Sequence, residues 1–171
     1  MILPAVDLGL MAEHLSTHKG MLHKLKGYYS RATNAELKEI IGLQINVMRM
    51  HVKVMLQLIN PYNQNSPEVT PLHALSADPF RKKTGEPATA HDHAIALEAR
   101  ASAKNMAGDN FFSALLMKDN HVRNAHIQMA LQQASLQEMY SRLIKRMGLG
   151  YTPHASINAQ IGTYQHFEQL F

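Results

Sequence analysis

Residues 37–58, LKEIIGLQINVMRMHVKVMLQL, decide the architecture. Within them Leu37, Ile41, Gln44, Met48, His51, Met55 and Leu58 follow alternating steps of four and three, the spacing of a buried seam along one face of a long helix. Glu39, Asn46, Arg49, Lys53 and Gln57 fall on the opposite face. The seam recurs 85 residues later, in VRNAHIQMALQQASLQEMYSRL, at Val122, His126, Met129, Gln133, Leu136, Tyr140 and Leu143. Two seams at a fixed offset indicate a duplicated helix pair. Neither carries a carboxylate, so the pattern speaks to a scaffold rather than to a reaction.

Outward from these seams the chain reads as one domain, 1–171, built of two helical hairpins. Helix 1 is expected over about 7–31, with Leu8, Met11, Leu15, His18, Leu22, Leu25, Tyr29 and Ala32 as its stripe. A break at Thr33-Asn34 lets Asn34 cap helix 2, expected over about 35–60 and stopped by Pro61. Helix 3, about 90–118, is Ala-rich, with a looser stripe of Ala94, Leu97, Ala101, Gly108, Phe111 and Leu115 and a weak point at Gly108-Asp109-Asn110. Helix 4, about 121–147, is closed by Gly148-Leu149-Gly150. The tail, 148–171, carries Ile157, Ile161, Tyr164, Phe167 and Phe171 and fits either a short docked helix or an extended arm.

Between the hairpins, 61–89 holds five of the seven prolines. A loop of that length is unusual inside a compact domain. It is explained if helices 2 and 3 point the same way, so that the chain must travel back along the bundle. Bundles with one long crossover form the ferritin-like class. The expected fold is therefore all-α, a ferritin-like four-helix bundle.

Composition narrows the function classes. With 171 residues the chain can bury a full core, and the lack of Cys removes disulfides and thiolate metal sites. No apolar run suits a membrane span and no secretion signal is visible, so synthesis in the cytosol is expected. A net charge of +4 invites a nucleic-acid partner. The basic residues are scattered, however, with Arg81-Lys82-Lys83 the densest run. Solvated helix faces account for them, and nucleic-acid binding is not expected.

In each half a helix bearing Lys or aromatic residues ends near Asn or Asp, followed by an aliphatic residue and a base. Here these are Lys26-Gly27-Tyr28-Tyr29 leading to Leu37-Lys38, and Asp119-Asn120-His121-Val122-Arg123. The second half closes with Met147-Gly148-Leu149-Gly150-Tyr151. In these features most of the chain resembles the CotF-like spore coat family of endospore-forming bacteria. The resemblance implies a ferritin-like bundle, a place in or beneath the spore coat, other coat proteins or self-association as partners, and no catalytic residues.

A ferritin-like di-iron centre needs inward Glu residues and two Glu-x-x-His pairs. The matching positions read Met48-x-x-His51 and Arg123-x-x-His126, a thioether and a cation in place of carboxylates. Glu13 sits on the outer face between Met11 and Leu15, and Glu98 and Asp109 cannot complete a site alone. One polar pair remains, His18 and His51, expected at the same depth on core seams with Gln44 two turns away. Two histidines are more often a hydrogen-bonded core layer than a Zn²⁺ or Cu²⁺ site, which needs further ligands. His91-x-His93 points to different faces, and His121 and His126 are five apart, a poor spacing for joint ligation. No nucleophile elbow or phosphate loop is present. The sequence thus predicts a non-catalytic structural or assembly protein with no cofactor. A ferritin-like metal oxidase or catalase and a DNA-protecting bundle are the alternatives.

Overall fold

The computed structural model describes residues 2–63, 67–75 and 87–170. Among these the chain is all-helical, in the order α1 (Ala5–Arg31), α2 (Ala35–Ile59), α3 (Leu72–Leu75), α4 (Ala90–Leu116), α5 (Asn120–Arg146) and α6 (Ile157–Glu168). The expected helices 3 and 4 are α4 and α5. The four long helices pack as a closed ring, α1 beside α2, α2 beside α5, α5 beside α4, and α4 beside α1.

Polar anchors fix the directions. The start of α1 meets the end of α4, where Asp7 accepts from the backbone N–H groups of Lys118 and Asp119 at 2.9 and 2.8 Å. The end of α1 meets the start of α4, where Asp92 accepts from the N–H groups of Thr33 and Asn34 at 2.8 and 3.3 Å. An ion pair between Arg146 and Glu36 joins the end of α5 to the start of α2. Ring neighbours are thus antiparallel, and α2 and α4 run the same way. Between them, the described stretch 67–75 runs back along the bundle, with Val69 packed on one half of the core and Leu72 and Leu75 on the other. Pro79 and the Arg81-Lys82-Lys83 run lie outside the described residues.

Local chemistry sets the helix ends. Asn34 accepts from Leu37 N–H, Asp119 from His121 and Val122, and Thr89 forms a reciprocal capping box with Asp92. After α5, Gly148 takes φ +78°, and the N–H groups of Gly148 and Leu149 return to the carbonyls of Lys145 and Ile144. This closure satisfies the last carbonyls and needs a residue that tolerates the left-handed region.

Two stripes differ from the sequence expectation. In α1 the buried line is Asp7, Met11, His14, His18, Leu25, Tyr28 and Ala32, while Leu8 and Tyr29 are nearly half exposed. Both phases share Met11, His18, Leu25 and Ala32. Counting apolar residues selects Leu8, Leu15 and Tyr29, whereas the core takes polar Asp7 and His14, whose polar atoms are met by the N–H groups of Lys118 and Asp119 and by Ser113 Oγ. In α4 the expected stripe faces outward: Leu97, Phe111 and Leu115 are exposed, and Asp92, Ala96, Ala99, Ala103, Met106 and Asn110 face the core. Small residues there let α4 and α5 form the most extensive helix pairing of the molecule. The α4 helix also runs through Gly108-Asp109-Asn110 without a break.

The corrected seams extend the duplication. Shifting the α1 line by 85 residues lands on Asp92, Ala96, Ala99, Ala103, Asn110 and Met117, all buried, and, for Tyr28, on the half-buried Ser113. Asp7 maps onto Asp92, and the turn residues Thr33-Asn34 map onto Lys118-Asp119. Each half therefore clamps the turn of the other. The tail forms α6, capped by Ser156. It is a helix but not a docked one, since all of its side chains are exposed.

A buried histidine layer as the candidate functional site

The apolar core falls into two clusters. One is built around Leu25, Ile41, Met48, Met106 and Tyr140, the other around Met11, Met55, Met117 and Met129. Between them lies a polar layer of His14 and His18 from α1, His51 from α2, Asn110 from α4, and His126 and Gln132 from α5, all buried. Heptad-like spacing puts these side chains at one depth, because His14, His18 and His51 occupy seam positions that elsewhere hold Leu, Ile or Met.

The layer is wired by hydrogen bonds. His18 Nδ1 lies 2.7 Å from the His14 carbonyl, and His18 Nε2 lies 3.4 Å from His51 Nδ1. His51 Nε2 lies 2.7 Å from Gln132 Oε1, and Gln132 Nε2 donates to the Thr70 carbonyl at 2.6 Å. On the other side His126 Nδ1 lies 3.0 Å from Asn110 Oδ1, whose amide donates to the Met106 carbonyl at 2.7 Å. His14 Nε2 pairs with Ser113 Oγ at 2.8 Å. The rings of His14 and His126 are 4.9 Å apart, those of His18 and His51 5.6 Å, and those of His14 and His18 6.2 Å.

Carbonyl acceptors, which cannot donate, settle the protons. The His14 carbonyl requires the proton of His18 on Nδ1. Thr70 orients the Gln132 amide so that its oxygen faces His51, which requires the proton of His51 on Nε2. Met106 orients Asn110 in the same way and places the proton of His126 on Nδ1. Neutral rings then carry bare lone pairs at His18 Nε2, His51 Nδ1 and His126 Nε2. The last has no hydrogen-bond partner and is fully buried.

Burial keeps the rings neutral. It holds His18 at about 4, against a partial rise from the His14 carbonyl, and holds His51 and His126 at about 3. His14 is lowered by burial as well, with Asp109 and Glu13 pulling the other way. A second polar group lies within the larger cluster. Tyr140 donates to Gln44 Oε1 at 2.8 Å, the Gln44 amide reaches Gln133 Oε1 at 3.4 Å, and Gln133 meets Met48 Sδ at 3.1 Å.

Compared with family models, curated proteins and solved structures, the chain finds no match. Its function must be argued from the geometry itself.

The structure brings His18 and His51 together across α1 and α2 and adds His14, which the apolar phase of α1 skips, and His126. The sequence places His126 on the second seam and sets it against Arg123 and the exposed His121, whereas its partner is Asn110, sixteen residues earlier on α4. Glu13 and Asp109 are exposed, His91 is exposed, and Glu98 sits on the surface with Lys24 and Tyr28. The carboxylates that are buried, Asp7 and Asp92, close turns at opposite ends and stand apart from the layer. Among the described residues no helix is long and apolar enough to cross a membrane.

Proposed function

We propose that this chain is a ferritin-like four-helix bundle of the spore coat type, a non-catalytic assembly protein whose partner is a second copy of itself. The observation that carries this reading is α6. It holds Ile157, Ile161, Tyr164 and Phe167 at helical spacing, each about half exposed or more, and among the described residues no helix packs extensively against it. A helix of 12 residues is marginal in water without a packed face, so α6 calls for a partner.

A matching surface lies on α4, where Phe111, Phe112, Leu115 and Leu116 are 48–71% exposed. Large contiguous apolar patches of this kind mark interaction sites. The end of α5, from which the chain leaves toward α6, and the α4 patch stand at opposite ends of the bundle, because α5 ends beside the start of α2 and α4 ends beside the start of α1. Along α4 the patch is about 35 Å from the end at which α6 departs, and residues 148–156 fully extended reach about 30 Å. Docking within one chain would stretch the linker to its limit, whereas docking onto a second copy does not. The layer that would have to bear a di-iron centre offers imidazoles and amides in place of carboxylates, which favours assembly over a ferritin-like oxidase.

Size-exclusion chromatography with light scattering tests this. The full chain is expected to form oligomers that dissociate on deletion of residues 152–171 and, independently, on Phe112→Glu with Leu115→Glu. A monomeric full chain, or an oligomer indifferent to both changes, would overturn the reading.

A further inference from the structure

We propose that the histidine layer binds one imidazole-preferring transition-metal ion, with Zn²⁺ as the reference, through His18 Nε2, His51 Nδ1 and His126 Nε2. Three independent features point there. First, His18 Nε2 and His51 Nδ1 face each other at 3.4 Å with both protons committed elsewhere, so no hydrogen bond joins them. Two nitrogens on one tetrahedral zinc, at about 2.0–2.1 Å from the metal, stand about 3.3–3.4 Å apart. The pair already has the spacing of one edge of such a site.

Second, each ring is held from behind. Histidines that ligate metals donate their other N–H to a carbonyl, carboxylate or amide that fixes tautomer and orientation. His18 donates to the His14 carbonyl, His51 to Gln132 and His126 to Asn110, and both amides are themselves anchored on backbone carbonyls. Third, His126 Nε2 is a fully buried lone pair without a partner. A buried acceptor left unpaired is costly and calls for an explanation, and a cation supplies one.

Among the described residues no three His, Asp or Glu side chains yet converge on one point. Binding must therefore draw His126 inward. Its Nε2 has no hydrogen bond to give up, and its other nitrogen keeps the Asn110 contact. His14, with its ring 4.9 Å from that of His126, is the nearest candidate for the fourth position. Neutral nitrogen donors exclude Mg²⁺ and Ca²⁺, which take oxygen ligands. An ion here would also tie α1 and α2 to α5, joining the two hairpins.

The full chain, stripped with chelator and titrated with Zn²⁺, is expected to take up one equivalent and to gain thermal stability. Co²⁺ should give the intense visible bands of a tetrahedral site. His126→Gln should weaken Zn²⁺ binding about tenfold or more, while combined His91→Gln, His93→Gln and His121→Gln should leave it unchanged. Since a core substitution can unfold the bundle, nitrogen NMR of the wild-type imidazoles gives a second readout. Zn²⁺ must shift Nε2 of His18 and His126 and Nδ1 of His51. The proposal fails if no metal is taken up, if the surface triple variant abolishes uptake, or if the shifts are confined to exposed histidines.

Discussion

Asp7 and Asp92 illustrate how much a single side chain can hold. The Asp92 carboxylate accepts from Thr33 N–H and Oγ1, Asn34 N–H, and Thr89 N–H and Oγ1 at 2.6–3.3 Å. Burial pushes its pKa upward, but the bonds from Thr33 and Thr89 outweigh burial and hold the carboxyl well below the usual range. Asp7 accepts two backbone bonds at the other end. Hydrogen bonds to a charged group of this kind contribute about 1.5–3 kcal/mol, less where water can reach the donors. Urea denaturation should therefore show a loss of about 2–3 kcal/mol for Asp92→Ala and a smaller loss for Asp7→Ala. The two should add, because they sit at opposite ends of the molecule. The signal was present in the sequence as two Asp residues at the same offset as the seams. An isolated acid near a helix start reads as an ordinary first-turn residue, and nothing local says that it reaches across to another hairpin.

At the scale of elements, the buried faces of α2 and α5 were legible and those of α1 and α4 were not, for a physical reason. In α2 and α5 the buried positions carry the large apolar side chains, so hydrophobic spacing and burial coincide. In α4 the core side is small, Ala96, Ala99 and Ala103, because close approach to α5 matters more there than bulk. The large residues Phe111, Phe112 and Leu115 are turned outward, so apolar periodicity finds the wrong face. The end of α5 carries its own prediction. A Cβ added at Gly148 meets nothing within 4 Å, so Gly148→Ala tests the +78° backbone alone. Thermal or urea unfolding should show a loss of about 1 kcal/mol.

For the whole molecule, the polar layer couples stability to pH. Unfolded, the histidines take protons near 6.5; folded, His18 resists to about 4 and His51 and His126 to about 3. Between these values the unfolded chain binds more protons. The stability of the metal-free protein should therefore fall as pH drops below about 6.5, by about 1.4 kcal/mol per pH unit for each ring still neutral, and the histidine part of the loss should level off below about 3, where protonation of Asp92 continues the fall. The Asp109 and Glu13 carboxylates soften the contribution of His14. Urea midpoints measured in chelator from pH 7 to pH 4 check the slope, and a flat profile would show that the rings are not held neutral.

The reciprocal clamps of Asp7 and Asp92 also bear on descent. Two separate copies of a single hairpin, related by a two-fold axis, would make these same contacts, each copy closing its partner's turn through an isologous interface. The present chain is the covalent form of that dimer. Under the 85-residue offset His14 corresponds to Ala99, His18 to Ala103, His51 to Leu136 and His126 to Ile41. A symmetric ancestor would have had to carry every one of these histidines twice. A single continuous chain is free of that constraint, and the imidazole layer is the part of its interior in which the two halves differ.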